Sequence, residues 1–263
     1  MKKLIPIALV LSLFLGLAAC AKNAPPAEEA IPTTMEAAEA MTFDTASYEQ
    51  ILEAYGGDPA KIEAAIAPLR SFAGDVSDGA IVAFLQYLDS ACQRLSVEAA
   101  SMGGAEFPFT MQLNSGEGYM DYFADYEGIA AALEGKLSEA SAQLLGLLEK
   151  DTVQRPFNDG GIIIPWDDLL ARAKAWTDFE TRFPEFAAGF NSIDTRALVG
   201  GRAAAYLKAY REGLDNTPPF EWGTDELLPE LRDSMDKFLA DPASELYPFY
   251  NDIKSTYDKW IKR

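Results

Sequence analysis

From Asp44 onward apolar residues recur three and four positions apart, the spacing that places them on one face of an α-helix. Thr45 to Tyr55 is predicted as a short helix stopped by Gly56-Gly57. Asp58-Pro59 then supplies an N-cap with proline at the first helical position of a second helix, which runs toward Phe72 and which Pro68 kinks or shortens. Ser77 or Asp78 caps a longer helix to about Met102, with the stripe Ile81, Phe84, Leu85, Leu88, Cys92 and Leu95, ended by Gly103-Gly104. A polar and aromatic loop through Pro108 and Asn114-Ser115-Gly116 leads to Tyr119–Lys150, where Ile129, Leu133, Leu137, Leu144 and Leu148 keep helical spacing with an interruption at Gly128 or Gly135.

Residues 151 to 165 break the pattern, because Ile162, Ile163 and Ile164 stand together between Gly160-Gly161 and Pro165. A lone extended segment makes no sheet, so these residues are expected in a groove between helices. Trp166 to Phe183 is amphipathic through Leu169, Ala173, Trp176, Phe179 and Phe183, and Pro184 ends it. Asp194–Leu214 follows, then the loop 215–223, a helix capped by Thr224 and running to Leu239, and a last helix from Ser244 to Ile261. The expected fold is all-α, built from antiparallel helical hairpins.

Trp176 and Phe179 lie at the same offset from Met235 and Phe238, and Pro184 and Pro242 lie at nearly that offset. Two helix-turn-helix units at such a period suggest stacked hairpins, an irregular α-solenoid. Lys237-Phe238-Leu239-Ala240-Asp241-Pro242 resembles the helix end and turn of tetratricopeptide repeats. The W-x2-L-G-x2-Y pattern of that family is absent and the period is longer, so a regular array stays open.

Charge and composition narrow the chemistry. The chain carries 41 acidic against 22 basic residues, a net charge of −19, which repels phosphates and argues against nucleic-acid binding. With 49% hydrophobic residues it has ample material for a core. There is no histidine, so Ser-His-Asp and Cys-His triads, HExxH peptidases and imidazole metal sites are excluded. Cys92 falls on the apolar stripe of its helix and is expected to be a buried thiol.

The N-terminal segment stands apart from the helical body. Met1-Lys2-Lys3 is basic, Leu4 to Leu17 is apolar, and Leu17-Ala18-Ala19-Cys20 offers small residues before a cysteine, which together describe a secretory signal. Leu-Ala-Ala-Cys resembles the lipobox of bacterial lipoproteins. That resemblance implies cleavage before Cys20, lipidation of its sulfur and acylation of the new amino terminus, with residues 1–19 as signal peptide. Ala21, which is not aspartate, implies by the enteric rule export to the outer membrane, facing the periplasm. Residues 20–42, rich in Ala, Pro and Glu, are expected to form a disordered tether about 25 Å in reach. The helical domain is then 43–263, with a possible sub-boundary near 151–165. Loss of Lys2 and Lys3 with the signal leaves 20 basic against 41 acidic residues and a net charge near −21.

Short motifs give no catalytic centre. Ser234-Met235-Asp236-Lys237 matches the S-x-x-K of penicillin-interacting serine enzymes, but the K-T-G element is missing. Asn158-Asp159-Gly160-Gly161 and Asp215-Asn216 lack the spacing of an EF-hand loop, and Asp167-Asp168 suit the start of a helix. No metal, cofactor or catalytic residue is expected. The loops at 155–167 and 215–223 each combine an aromatic, an asparagine–aspartate turn and prolines, as a preorganised recognition surface does. Their candidates are Arg155, Phe157, Asn158, Asp159, Trp166, Asp215, Asn216, Phe220 and Trp222. The expected function is a non-enzymatic envelope lipoprotein that scaffolds or binds another envelope protein. The alternatives are a small-molecule or peptide binder with a pocket lined by Arg202, Tyr206, Tyr210 and Trp222, and a hydrolase using paired carboxylates.

The lipid anchor makes a simple prediction. Cys20→Ser is expected to abolish metabolic labelling with palmitate and to move the protein from the membrane pellet to the soluble fraction; labelling that survives the substitution contradicts it.

Overall fold

The computed structural model describes residues 42–102, 106–116, 119–184, 186 and 201–262. The expectations for the signal, Cys20, nearly all of the tether, Gly103-Gly104 and the start of the helix at Asp194 lie outside those residues. The described chain is all-α, with two small antiparallel hairpins as its strands. No described helix is long and apolar enough to cross a membrane.

Helix α1 spans Thr45–Tyr55, with Asp44 accepting a hydrogen bond from the Ser47 amide and Gly56 closing it in a left-handed conformation. Asp58 caps the turn Pro59–Lys61, which leads into α2, Ile62–Ser71. Pro68 sits inside α2, whose buried face is Ile62, Ala65, Ile66 and Leu69. Helix α3, Asp78–Met102, is the long central element, and Ile81, Phe84, Leu88 and Leu95 on it are wholly buried.

Two departures from the helical expectation follow. Thr110–Gly116 (β1) pairs antiparallel with Tyr119–Ala124 (β2), so the start of the segment read as helix is a strand. Its alternation explains this: Tyr122 and Ala124 are buried, Asp121 and Phe123 half-buried, a period of two. Ser96 Oγ of α3 accepts a hydrogen bond from the Tyr122 amide at 2.9 Å, which docks the hairpin on α3. The expected interruption then falls between α4 (Tyr126–Ala132) and α5 (Glu139–Val153), where Gly135 has φ +74°.

The isoleucine run is not a lone segment either. Phe157–Asn158 (β3) pairs with Gly161–Ile162 (β4), joined by Asp159 and Gly160, both with positive φ. That is the Asp-Gly two-residue turn whose twist matches a hairpin. Ile162 and Ile164 pack on the core, while Ile163 is exposed.

Helix α6, Trp166–Arg182, buries Leu169, Ala173, Trp176 and Phe179 and packs along α7, Arg202–Glu212. Gly213 ends α7 at φ +70°, and a Cβ there would meet Thr217 O at 2.5 Å. Only glycine allows the chain to turn back so closely. Helix α8 is Pro229–Ala240, beginning five residues later than Thr224; the Thr224 hydroxyl instead accepts from the Glu226 amide in a turn of its own. The last helix is also shorter than expected: a 3-10 turn, Pro242–Leu246, precedes α9, Tyr250–Trp260. The repeated positions Trp176, Phe179, Met235 and Phe238 are all buried; the second hairpin carries that turn after its first helix, and the corresponding stretch of the first lies almost wholly outside the described residues.

Cys92 is buried, and burial pushes its thiol from 9.0 up to about 12; burial does the same to the Tyr87 phenol, from 10.0 to about 12. An unfolded chain releases these protons near pH 9 to 10 while the native chain holds them. Stability is therefore full below pH 9 and is lost as pH rises toward 12. Urea unfolding is expected to give a constant free energy from pH 7 to 8.5 and a loss of about 1 kcal/mol or more by pH 10.5; a flat profile to pH 11 contradicts it.

Candidate functional site

One carboxylate ties together three helices. Asp151 sits on α5 one helical turn beyond Leu148, on the stripe that also buries Leu144, and is 6% exposed. Its Oδ1 accepts from Arg172 of α6, and its Oδ2 accepts from Trp176 Nε1 at 2.9 Å, from Arg202 at 3.0 Å and from the Tyr206 hydroxyl. Arg172, 2% exposed, also donates to the carbonyls of Lys150 and Gln154 at 3.1 and 2.7 Å. It thus caps the C-terminus of α5, where unsatisfied carbonyls and the helix dipole favour a cation. Arg202 lies over the Trp176 ring at 5.4 Å. Burial and the hydrogen bond to Asp151 push the Tyr206 phenol well above its ordinary range.

Arg172 and Arg202 both pair with Asp151. A burial this deep is tolerable only because every Asp151 oxygen is paired and hydrogen-bonded. Asp151 and Arg202 border a cavity.

That cavity has a volume of about 720 Å³, within the range of small-molecule sites. Its walls come from α3 (Gln86, Asp89, Gln93), β2 (Phe123), α4 (Tyr126), the segment after α5 (Arg155, Phe157) and α7 (Arg202, Tyr206), with Asp151 at its wall. Phe157 stands 5.7 Å from the Tyr206 ring, and the Arg155 guanidinium lies 5.1 Å from the centre of the Phe123 ring. A guanidinium carries five N–H donors, more than a contact with one ring engages. Among the described residues Arg155 has no acidic partner within ion-pair distance. At the rim, Asp89 accepts from Gln93 at 2.8 Å; burial raises its pKa, partly offset by that bond and by Arg202.

The nine sequence candidates divide. Arg155 and Phe157 line the cavity. Asp159 and Asn216 stitch the two loops together: the Asn216 backbone amide donates to Gly160 O at 3.0 Å, its side chain donates to Asp159 O, and the Ile162 amide donates to Thr217 Oγ1 at 3.0 Å. Asn158 pairs with Gly161, and Asp215 is exposed beside this contact. The two loops therefore do meet, and the hairpin so braced carries Phe157 at its base. Trp166 is core, edge-on to Tyr210 at 6.1 Å. Phe220 is half-buried with its ring 5.3 Å from that of Trp260, and Trp222 is 80% exposed. Of the pocket expected from Arg202, Tyr206, Tyr210 and Trp222, only the first two line the cavity; Tyr210 is buried and shares a hydrogen bond with Ser234 at 2.9 Å. Ser234 is itself buried and Lys237 pairs with Asp167 at 2.8 Å, so the S-x-x-K match is a packing feature.

Asp151, Arg172, Gln86, Asp89 and Tyr126 were not among the sequence candidates. Two carried a signal. Asp151 continues the Leu144–Leu148 stripe, and Arg172 interrupts the stripe of Leu169, Ala173 and Trp176, and a charge on an apolar face needs an opposite charge across the core.

Comparison with protein-family models, curated proteins and solved structures finds no match, so the chemistry of the site carries its reading.

Asp151→Asn keeps the shape but leaves Arg172 buried without a counter-ion. It is expected to lower unfolding free energy by about 3–5 kcal/mol, against less than about 1 kcal/mol for Glu139→Gln, which only breaks the exposed pair with Arg182. Equal small effects in urea unfolding contradict a structural role for the buried carboxylate.

Proposed function

We propose that this chain is a lipid-anchored envelope protein whose helical body binds a small organic anion, a carboxylate above all, in the cavity beside Asp151. The observation that carries the reading is Arg155: a guanidinium over the Phe123 ring at a cavity wall, with no acid paired to it among the described residues, in a chain of net charge −19. Acids are abundant enough on this protein that an arginine paired to none of them suits an external carboxylate, which its fork geometry matches in two hydrogen bonds. Phe157, Tyr206 and Tyr126 offer apolar and aromatic walls for the remainder of such a ligand. Both Asp151 oxygens are engaged in hydrogen bonds, which suits a structural role for this carboxylate rather than acid–base work.

A second reading, docking of another envelope protein, is favoured by one observation: Trp222 and Leu246 are 80% and 87% exposed. Isolated surface apolar residues are common, which places this reading behind the first.

Thermal unfolding in the presence of acetate, succinate, glutamate and benzoate, with putrescine as cationic control, tests the first reading. A carboxylate present at about 100 times its Kd adds about 2.7 kcal/mol of stability and raises Tm. Arg155→Ala is expected to keep the basal Tm and lose the shift. A shift retained in Arg155→Ala, or no shift with any carboxylate, overturns the assignment.

A further inference from the structure

The main cavity does not end at its own walls. Gln86 and Ser90 of α3 also line a second cavity of about 450 Å³, formed with Glu49, Leu52 and Glu53 of α1, Gly57, and Ala83 and Tyr87 of α3. Gln86, Ser90 and Gln93 stand at i, i+4 and i+7, one face of one helix, so the two cavities adjoin along that face. From Ala83 to Gln93 the helix rises about 15 Å at 1.5 Å per residue. Four or five residues of extended chain cover that length at about 3.3 Å each.

The ends of this trough differ in charge. At one end stand Arg155 and Arg202; at the other, Glu49 and Glu53 are both exposed, and neither has a basic partner within ion-pair distance among the described residues. Between them, the Gln86 side-chain nitrogen is buried with no hydrogen-bond partner. A buried amide donor left unpaired is destabilising, so its rotation toward an acceptor in the trough is favourable. The chemistry that matches all three features is a carboxylate at one end, an ammonium at the other and carbonyl oxygens in the middle.

We infer that the trough along α3 binds a short extended peptide with free termini, its terminal carboxylate on Arg155 and Arg202, its terminal ammonium on Glu49 and Glu53, and a backbone carbonyl on Gln86. This rests on the carboxylate reading of the main cavity and adds the second charge, the length and the direction of the ligand. A lone carboxylate would use only one end.

Isothermal titration of the full-length protein in detergent against trialanine, tetraalanine and pentaalanine tests it, with the N-acetyl and C-amide forms of each and with acetate and succinate in parallel. The free tetrapeptide or pentapeptide is expected to bind at least tenfold more tightly than acetate, with C-amidation and N-acetylation each costing about tenfold. The double variant Glu49→Gln/Glu53→Gln, at exposed positions that leave the fold intact, is expected to bind free and acetylated peptides alike while still preferring the free carboxylate. Gln86→Leu is expected to weaken the peptides and leave acetate unchanged. If peptides bind no better than acetate or succinate, or acetylated and free peptides bind alike in the unsubstituted protein, the peptide inference fails and the carboxylate reading stands. If neither peptides nor carboxylates bind, both fail.

Discussion

A buried negative charge is the constraint on which the described body depends. Asp151 lies among Leu144, Leu148, Trp176 and Tyr206, where an unpaired carboxylate would be expelled or protonated. Two guanidiniums, an indole and a phenol converge on it, and each comes from α6 or α7. The pairing therefore fixes the relative position of α5, α6 and α7 more narrowly than apolar packing alone, which tolerates exchange of one aliphatic side chain for another. Arg172 extends the same constraint by holding the last carbonyls of α5, so the chain leaves that helix at a fixed point and angle.

That exit decides where the cavity is. Gln154 follows α5 directly, Arg155 lies over the Phe123 ring, and the Asp159-Gly160 turn folds Phe157 back beside Tyr206. The loop 214–217, tightened by Gly213, braces the turn from the other side. The result is an arginine-bearing wall on a strongly acidic protein. At physiological ionic strength the field of distant surface acids is screened within about 8 Å, whereas partly buried groups are screened much less. The cavity is therefore governed by its own lining, Arg155 and Arg202 beside Asp89 and Asp151, rather than by the net charge of the chain.

Much of this was legible in the chain. Helices α1, α2, α3 and α6 follow from stripes such as Ile81–Leu95 and from punctuation such as Gly56-Gly57 and Asp58-Pro59, because capping and periodicity act locally. The two hairpins were not read. Asp159-Gly160 is a strong turn signal, but strands of two residues are too short to show alternation, and Tyr119–Ala124 adjoins a helical stripe that absorbed it. The loops around 155 and 215 were identified from their turn chemistry, and they do meet, yet only Arg155 and Phe157 reach the cavity. Which face a loop presents is set by its tertiary contacts, here Phe123 and Tyr206, and no local pattern encodes them. Asp151 was hidden for a different reason: with 41 acidic residues, one more carboxylate draws no notice until its place on an apolar stripe is weighed.

The measurement that bears most directly on this account is a double-mutant cycle between Asp151→Leu and Arg172→Leu, read by urea unfolding and by the fluorescence of the tryptophans. If the buried pair organises the three helices, each single variant strands a charge and the double variant recovers much of the loss. The coupling energy is then above about 2 kcal/mol. Effects that add to within about 0.5 kcal/mol would mean that the two residues do not depend on each other. In that case the cavity owes its shape to apolar packing, and the central place given to Asp151 is wrong.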